Sequence, residues 1–283
     1  MKVSLCGVRG STPAPGFEFA RYGGNTSCVA IARDDGDPVL LLDAGTGLSG
    51  VTRLLDGRPF RGTILLGHLH WDHTHGLPFF RSGDQEGSAV RLLMPAQEGG
   101  TAEALLARAV SPPHFPITPS QLRGDWTFEF LEEGAFEVEG FSVRAREIPH
   151  KGGRTFGYLV SDGEHSIAYM SDHHPVSLGD GPDGFGPYHE AALDLATGAD
   201  ILIHDAQYTA EEFPERSTLG HSSIDYAVGL AEAAGVAHLV LFHHDPRRTD
   251  DDLDKIAASV TSSAMEITIA AEQLTLWPGC PKT

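Results

Sequence analysis

The chain has 283 residues, with 20 lysines and arginines against 39 aspartates and glutamates, which gives a formal net charge of −19. Its length and its 41% apolar residues exclude a disordered chain and allow a sizeable buried core. The acidic balance argues against a protein that spreads a long nucleic acid across its surface, because such proteins usually carry a basic stripe. Histidine is unusually frequent, with 15 residues.

The first half of the chain is dominated by predicted strands. Short apolar runs predict strands, in chain order, at 2–8, 27–33, 39–42, 63–67 and 89–94. Helices are expected at 48–55 and 101–110, and a proline-rich loop follows over 111–119.

The second half begins with strands and then alternates. Alternating patterns predict a β-rich block at 126–147, 155–161 and 165–171. A segment rich in glycine and proline, 176–187, predicts a loop or a lid. Beyond it we expect helices at 189–197, 222–234 and 250–264, strands at 200–204 and 237–242, short strands up to 277, and a loose tail at 278–283.

This order of elements predicts an α/β or α+β fold. Neither half contains an internal repeat, and no linker-like composition separates them, so we expect a single domain over 1–283. A four-layer arrangement, with helices outside two central sheets, would suit the alternation of strands and helices.

The location of the protein is predicted from what the sequence lacks. No stretch approaches the roughly 18 apolar residues that a membrane-spanning helix needs, and the first ten residues lack the apolar core of a signal peptide. Cys6, Cys28 and Cys280 form no C-x-x-C pair, so they predict buried thiols rather than disulfides or a zinc ribbon. We therefore expect a cytoplasmic protein that does not enter a membrane.

The most informative segment is G-H-L-H-W-D-H-T-H-G over 67–76, which directly follows a predicted strand. In an extended loop His68 and His70 point the same way, and Asp72 and His73 follow at the turn. Imidazole and carboxylate groups are the ligands that zinc and similar divalent ions take in proteins. The spacing therefore predicts two adjacent half-sites of a metal centre.

Such half-sites need further ligands from the ends of other strands. Three metal-competent side chains directly follow predicted strands, namely His150, Asp172 and His243. His204 also follows a strand, and we expect it to be a core residue or to orient a ligand rather than to bind metal. Each of these residues alone would more often be structural, but together with the H-x-H-x-D-H motif they predict the remaining ligands.

These segments resemble the metallo-β-lactamase-fold hydrolases, and most closely the branch that contains ribonuclease Z, the phosphonate-pathway cyclic phosphodiesterase and cyclic-nucleotide phosphodiesterases. The shared motifs cover almost the whole chain and include G-V-R-G-S-T-P, L-L-L-D-A-G-T-G, H-L-H-W-D-H-T-H-G-L-P, P-H-K-G-G-R-T-F-G-Y, M-S-D, L-I-H-D-A-Q-Y, L-G-H-S-S and L-V-L-F-H-H. The resemblance implies an αββα sandwich with its site at one edge.

The resemblance also implies two divalent metal ions, with zinc as the first expectation and manganese or iron as alternatives. The ligands that it implies are His68, His70 and His150 for one ion, Asp72, His73 and His243 for the other, and Asp172 as a bridge. The lactamase subclasses of the family use a cysteine at the position of Asp172, which argues against a β-lactam substrate.

Two further motifs, H-D-A-Q and G-H-S-S, match the positions of a paired acid and histidine in the ribonuclease Z branch. Asp205 and His221 take these positions, and aspartate replaces the glutamate of that branch, which leaves the pairing distance open. An imidazolium at this place could protonate the alkoxide that leaves a phosphodiester. A capping-box pattern, Ser222-x-x-Asp225, predicts that a helix begins directly after His221.

The leading hypothesis is a metal-dependent phosphodiesterase that cleaves a small phosphodiester, such as a cyclic nucleotide, with a hydroxide shared by two metal ions. Its expected catalytic residues are Asp72, Asp205 and His221, the last as general acid. The first alternative is a ribonuclease Z-like tRNA 3′-processing endonuclease. The net negative charge and the lack of a long basic arm for tRNA argue against it. An ester, thioester or lactone hydrolase and a metal sensor without turnover are further alternatives, and the oligomeric state stays open, with a homodimer suggested by related enzymes.

Overall fold

The computed structural model describes residues 1–175 and 188–279. The strands are β1 Lys2–Gly7, β2 Cys28–Ala32, β3 Pro38–Leu42, β4 Arg61–Leu65, β5 Ala89–Pro95, β6 Asp125–Leu131, β7 Gly134–Val138, β8 Phe141–Glu147, β9 Phe156–Ser161, β10 Ser166–Met170, β11 Ile201–Asp205, β12 His238–Phe242, β13 Glu266–Ile269 and β14 Thr275–Leu276. The α-helices are α1 Leu48–Leu54, α2 Trp71–Thr74, α3 Ala102–Ala107, α4 Glu190–Ala196, α5 Phe213–Arg216, α6 Ile224–Ala234 and α7 Asp250–Ser259. The expected loop or lid at 176–187 and residues 280–283 of the expected tail lie outside the described residues.

The strands form two seven-stranded sheets. The first has the order β14-β1-β2-β3-β4-β5-β6, and the second has the order β13-β12-β11-β10-β9-β8-β7. Strands β3 to β6 run parallel to one another, as do strands β10 to β13. Because parallel neighbours end at the same edge of a sheet, the loops after β3 and β4 lie side by side, and so do those after β10, β11 and β12.

Three layers of apolar side chains separate the four layers of the molecule. Residues of both sheets, such as Leu42 and Phe242, interdigitate between the sheets. Alanines and leucines of α4 and α6 pack on the outer face of the second sheet, and Leu48 and Leu106 of α1 and α3 cover the first. The expected αββα sandwich is confirmed.

Several helix boundaries differ from the sequence prediction, among them the end of α3 at Ala107 rather than at 110, and two have a clear physical reason. Helix α6 is capped by Ser223, whose side chain accepts a hydrogen bond from the backbone N–H of Tyr226, whereas the hydroxyl of Ser222 donates to the carbonyl of His173. The prediction of a cap at Ser222 was therefore wrong by one residue. Helix α7 ends at Ser259 rather than at 264, because Val260 is extended and begins a run of β-branched and hydroxyl residues that are poor helix formers.

Within the described residues, each helix is too short or too polar to cross a membrane.

Candidate metal centre

The H-x-H-x-D-H segment lies directly beyond the end of β4. His70 is extended and precedes the short helix α2, so Asp72 and His73 are held on a helical turn rather than in an open loop. His68, Asp72 and His73 are all buried. The segment therefore presents its imidazole and carboxylate groups on backbone of fixed geometry.

The other predicted ligands reach the same place from the second sheet. His150 follows β8, Asp172 follows β10 and His243 follows β12. His243 has a left-handed backbone with φ of 60°, a conformation that residues other than glycine rarely adopt. Gly10 packs against this residue, and a Cβ atom there would lie 2.4 Å from the His243 ring.

Among the described residues, ligand-competent atoms within 4.8 Å of one another define three groups, of which one consists of Asp205, His221 and His243 and the other two contain the predicted ligands. The three-histidine group consists of His68, His70, His150 and Asp172. The two-aspartate group consists of Asp72, His73, Asp172 and His243. All seven residues that the sequence and the resemblance put forward as ligands thus lie together.

Asp172 belongs to both groups because its two carboxylate oxygens face different neighbours. Its Oδ2 lies 3.7 Å from Nε2 of His68 and 3.5 Å from Nε2 of His150. Its Oδ1 lies 3.0 Å from Nε2 of His73 and 3.3 Å from Nε2 of His243. This division of the oxygens would allow Asp172 to contribute one oxygen to each group.

The donor set fits divalent metal ions. Among the described residues, both ring nitrogens of His68 are buried without a hydrogen-bond partner, which is costly unless another partner is supplied. The separations of 3.0 to 3.7 Å between donor atoms are close to the roughly 3.3 Å expected between ligands of a tetrahedral zinc ion.

The two groups differ in the protonation of their histidines. In the three-histidine group, burial lowers the pKa of His68 well below its usual range and that of His150 to about 4. In the two-aspartate group burial also lowers the pKa values of the histidines, but the nearby carboxylates raise these pKa values by more. The charges of Asp72 and Asp172 raise the pKa of His73 well above its usual range, and Asp172 does most to raise that of His243 to about 9.

Asp43 is a buried residue of this site to which sequence reasoning gave no role. Its Oδ2 accepts hydrogen bonds from Nδ1 of His73 at 2.7 Å, from the hydroxyl of Tyr169 at 2.7 Å and from that of Ser171 at 3.1 Å. Its Oδ1 accepts from the N–H of Gly67 at 2.7 Å. These bonds fix the ring of His73, as the outer partners of metal-bound imidazoles commonly do. Its position directly after an apolar strand was the signal that could have identified it.

The histidines at the ends of β8 and β12 are oriented in a similar way. Nδ1 of His150 donates to the carbonyl of Gly220 at 2.6 Å, and Nδ1 of His243 donates to Oε1 of Gln207 at 3.2 Å. In both rings the remaining nitrogen, Nε2, is left for the centre. Gln207 lies in the H-D-A-Q motif, but sequence reasoning assigned no function to its side chain.

Asp205 and His221 lie within hydrogen-bond reach of each other. Nδ1 of His221 is 3.1 Å from Oδ2 of Asp205 and 3.6 Å from Oδ2 of Asp172. Asp205 is fully buried and also accepts bonds from the backbone N–H groups of His173 and Gln207. The shorter aspartate side chain therefore spans the distance that the sequence left open.

His204 is fully buried. Its Nε2 lies 3.0 Å from Nδ1 of His173, and its Nδ1 donates to the carbonyl of Asp205 at 2.7 Å. Neither of these contacts is with a residue expected to bind metal. His204 instead ties β11 to the segment after β10.

A cavity of about 350 Å³ opens onto the two groups, a size typical of sites for small molecules. Its lining residues are Ser11, Leu69, His70, Trp71, Asp72, Asp172, Leu219 and His221. The candidate acid His221 therefore lies beside the same space as residues of both metal-competent groups.

Comparisons with known proteins agree with this architecture. A family model described as "Beta-lactamase superfamily domain" matches residues 39–244. A ribonuclease Z from Bacillus mycoides (strain KBAB4) is 27% identical over 270 residues, which cover 81% of this chain and 86% of that protein.

Solved structures share the fold over nearly the full length. The metallo-beta-lactamase fold protein YhfI from Bacillus subtilis has a TM-score of 0.71 at 19% identity, covering 98% of this chain and 99% of its own. A diphosphatase from the PhnP family has a TM-score of 0.69 at 19% identity, covering 98% and 97%. At such identities the likeness concerns the fold alone.

Proposed function

The chain belongs to the beta-lactamase superfamily and is a metal-dependent hydrolase, and from this premise we propose that it is a two-metal phosphodiesterase. The substrate is a small phosphodiester such as a cyclic nucleotide. The observation that carries the proposal is the position of His221, which is held by the buried Asp205 and lines the cavity beside both metal-competent groups.

The three-histidine group would hold one ion and the two-aspartate group the other, with Asp172 between them. Zinc suits these ligands, and manganese or iron are alternatives. Bound there, such ions would supply a water nucleophile of lowered pKa and would neutralise the charge of the phosphoryl oxygens.

The protein's own groups would handle the protons. The bond from Nδ1 of His221 to Asp205 leaves Nε2 as the nitrogen that can protonate the leaving alkoxide. Asp72 lines the same cavity and accepts a hydrogen bond from the N–H of Ser11 at 2.6 Å. This bond fixes the Asp72 carboxylate, which would help to orient the attacking water.

The size of the cavity and the net charge both favour a small substrate. A cavity of about 350 Å³ holds one nucleotide-sized group. With a net charge of −19, the protein surface beyond the metal ions would repel a long polyanion. A second candidate is tRNA 3′-processing, because a relative that covers 81% of the chain is named ribonuclease Z.

A panel of substrates tests this proposal. We expect the zinc-loaded protein to hydrolyse bis(p-nitrophenyl) phosphate and at least one cyclic nucleotide, and to leave a tRNA precursor intact. His68→Ala should reduce the rate at least 1,000-fold, whereas His114→Ala, which changes an exposed histidine outside the cavity lining, should not. Cleavage of the tRNA precursor without cyclic nucleotide turnover would select the second candidate.

The role of His221 has its own test. His221→Ala should slow the hydrolysis of a cyclic nucleotide by about 100- to 10,000-fold, because an alkoxide needs a proton when it leaves. The same variant should barely affect the release of p-nitrophenolate, which leaves without one. Equal losses with both substrates would rule out general-acid catalysis by this residue.

A further inference from the structure

Trp71 combines exposure with a fixed position beside the candidate metal centre. It is the first residue of α2 and lies between His70 and Asp72 in the chain. Its side chain is 68% exposed, and it lines the cavity onto which both groups open. Single exposed aromatic residues are common on protein surfaces. The exposure of Trp71 therefore indicates a function only because the residue lines this cavity.

The indole ring of Trp71 is supported on one side. It stacks on the ring of His75, with centroids 5.3 Å apart and planes inclined by 18°. Because His75 directly follows the end of α2, the short helix holds both rings in register. A stacked partner on one face leaves the other face of the indole as a flat apolar surface.

Leu219 adds apolar surface to the same cavity. It is 55% exposed and lines the space together with Trp71. The next residue, Gly220, accepts the hydrogen bond from Nδ1 of His150, so backbone that orients a metal-competent histidine also positions Leu219. The cavity therefore offers histidine and carboxylate groups together with an aromatic and an aliphatic side chain.

We propose that Trp71 is a specificity-determining residue that stacks on the nucleobase of a nucleotide phosphodiester whose phosphate lies at the two metal-competent groups. The inference rests on the proposed phosphodiesterase function and narrows its substrate class to nucleotides. Nucleobases stack on aromatic side chains largely without regard to their identity, so Trp71 selects for the presence of a base rather than for one base.

Two substrates with the same leaving group test this inference. Thymidine 5′-p-nitrophenyl phosphate carries a base, and methyl p-nitrophenyl phosphate does not. Trp71→Ala should raise KM for the nucleoside substrate roughly 10- to 100-fold, and should affect the base-free substrate at least tenfold less. Trp71→Phe should retain most of the affinity because phenylalanine also stacks.

A matched control separates stacking from the loss of any exposed aromatic residue. Phe79 is equally exposed at 68% and lines a different groove, so Phe79→Ala should leave KM unchanged for both substrates. Equal losses with both substrates in Trp71→Ala would overturn the inference while leaving the phosphodiesterase proposal intact. If the unaltered protein hydrolyses neither substrate, the phosphodiesterase proposal fails. Nucleotide binding, measured separately, then tests whether Trp71 stacks on a base.

Tryptophan fluorescence measures that binding without turnover. Thymidine 5′-monophosphate should quench the emission of the zinc-loaded protein, and 2-deoxyribose 5-phosphate should not. Trp71→Phe should remove the quenching, whereas Trp277→Phe, which changes a tryptophan that is 40% exposed and outside the cavity lining, should preserve it. Absent quenching in the unaltered protein, or quenching that persists in Trp71→Phe, would contradict stacking on Trp71.

Discussion

The three-histidine group and the two-aspartate group share Asp172 but present different charges to the same cavity. Burial keeps the imidazoles of the first group neutral, with the pKa of His150 lowered to about 4. In the second group the nearby carboxylates outweigh burial, and Asp172 and Asp72 raise the pKa of His243 to about 9. The first group is thus ready to bind a cation at neutral pH, whereas the second must first release protons.

The groups also differ in their support. His73 of the two-aspartate group is held by Asp43, and His243 is held by Gln207. In the three-histidine group, His150 is held by a backbone carbonyl. A carboxylate partner makes an imidazole a stronger ligand than a neutral carbonyl does, so we expect the two-aspartate group to bind its ion more tightly at high pH.

The largest effect is expected from removing the residue that the groups share. Asp172→Ala takes an oxygen from each group, so the protein should lose most of both ions and at least 1,000-fold of its phosphodiesterase rate. Metal content by mass spectrometry and the rate with bis(p-nitrophenyl) phosphate measure the two losses. Retention of two tightly bound ions would show that Asp172 is not a shared ligand.

Changes within one group should affect one ion. His68→Ala should leave about one equivalent of zinc, held by the two-aspartate group, and His243→Ala should leave about one equivalent, held by the three-histidine group. Equilibrium dialysis followed by metal analysis checks the stoichiometry, with His114→Ala as the control that keeps two. If either variant loses both ions, the groups do not bind independently.

The pH dependence of zinc affinity should separate the groups further. In His68→Ala the remaining group contains His73 and His243, whose pKa values are both raised, that of His243 to about 9. Zinc must therefore displace up to two protons at pH 7, and affinity should rise by about 10- to 100-fold per pH unit below pH 9. In His243→Ala, His150 with a pKa of about 4 is already deprotonated above pH 6, so affinity should vary little.

Competition with a chromophoric chelator between pH 6 and pH 9 measures both slopes. Identical slopes in the two variants would contradict the difference in charge between the groups.

The smallest effect is expected from the residues that orient the ligands. Asp43→Asn should weaken zinc binding by the two-aspartate group about 10- to 100-fold, because the His73 ring loses its charged partner. Gln207→Leu should cost less, since a neutral partner is removed. Competition measured in a His68→Ala background reports on this group alone, and circular dichroism checks that each variant folds. An unchanged affinity in Asp43→Asn would deny Asp43 a positioning role.

The sequence indicated much of the candidate site because each ligand-competent residue follows an apolar strand. His150, Asp172 and His243 are far apart in the chain, yet parallel strand ends brought them to the H-x-H-x-D-H segment. Asp43 and Gln207 were missed because each acquires its hydrogen-bond partner only in the folded sheet. Asp43 meets its partner when the loop after β3 lies beside the loop after β4, and Gln207 meets its partner when the loop after β11 lies beside the loop after β12. The cap of α6 was misplaced because Ser222 and Ser223 are chemically equivalent until Ser222 finds a partner in His173.

Stepwise return of zinc to the chelator-treated protein tests the two-metal phosphodiesterase most directly. Hydrolysis of bis(p-nitrophenyl) phosphate would be followed at each addition, with bound zinc measured in the same samples. We predict that activity rises until two equivalents are bound and then reaches a plateau. Two bound equivalents without phosphodiester hydrolysis, or full activity at one equivalent, would contradict the account.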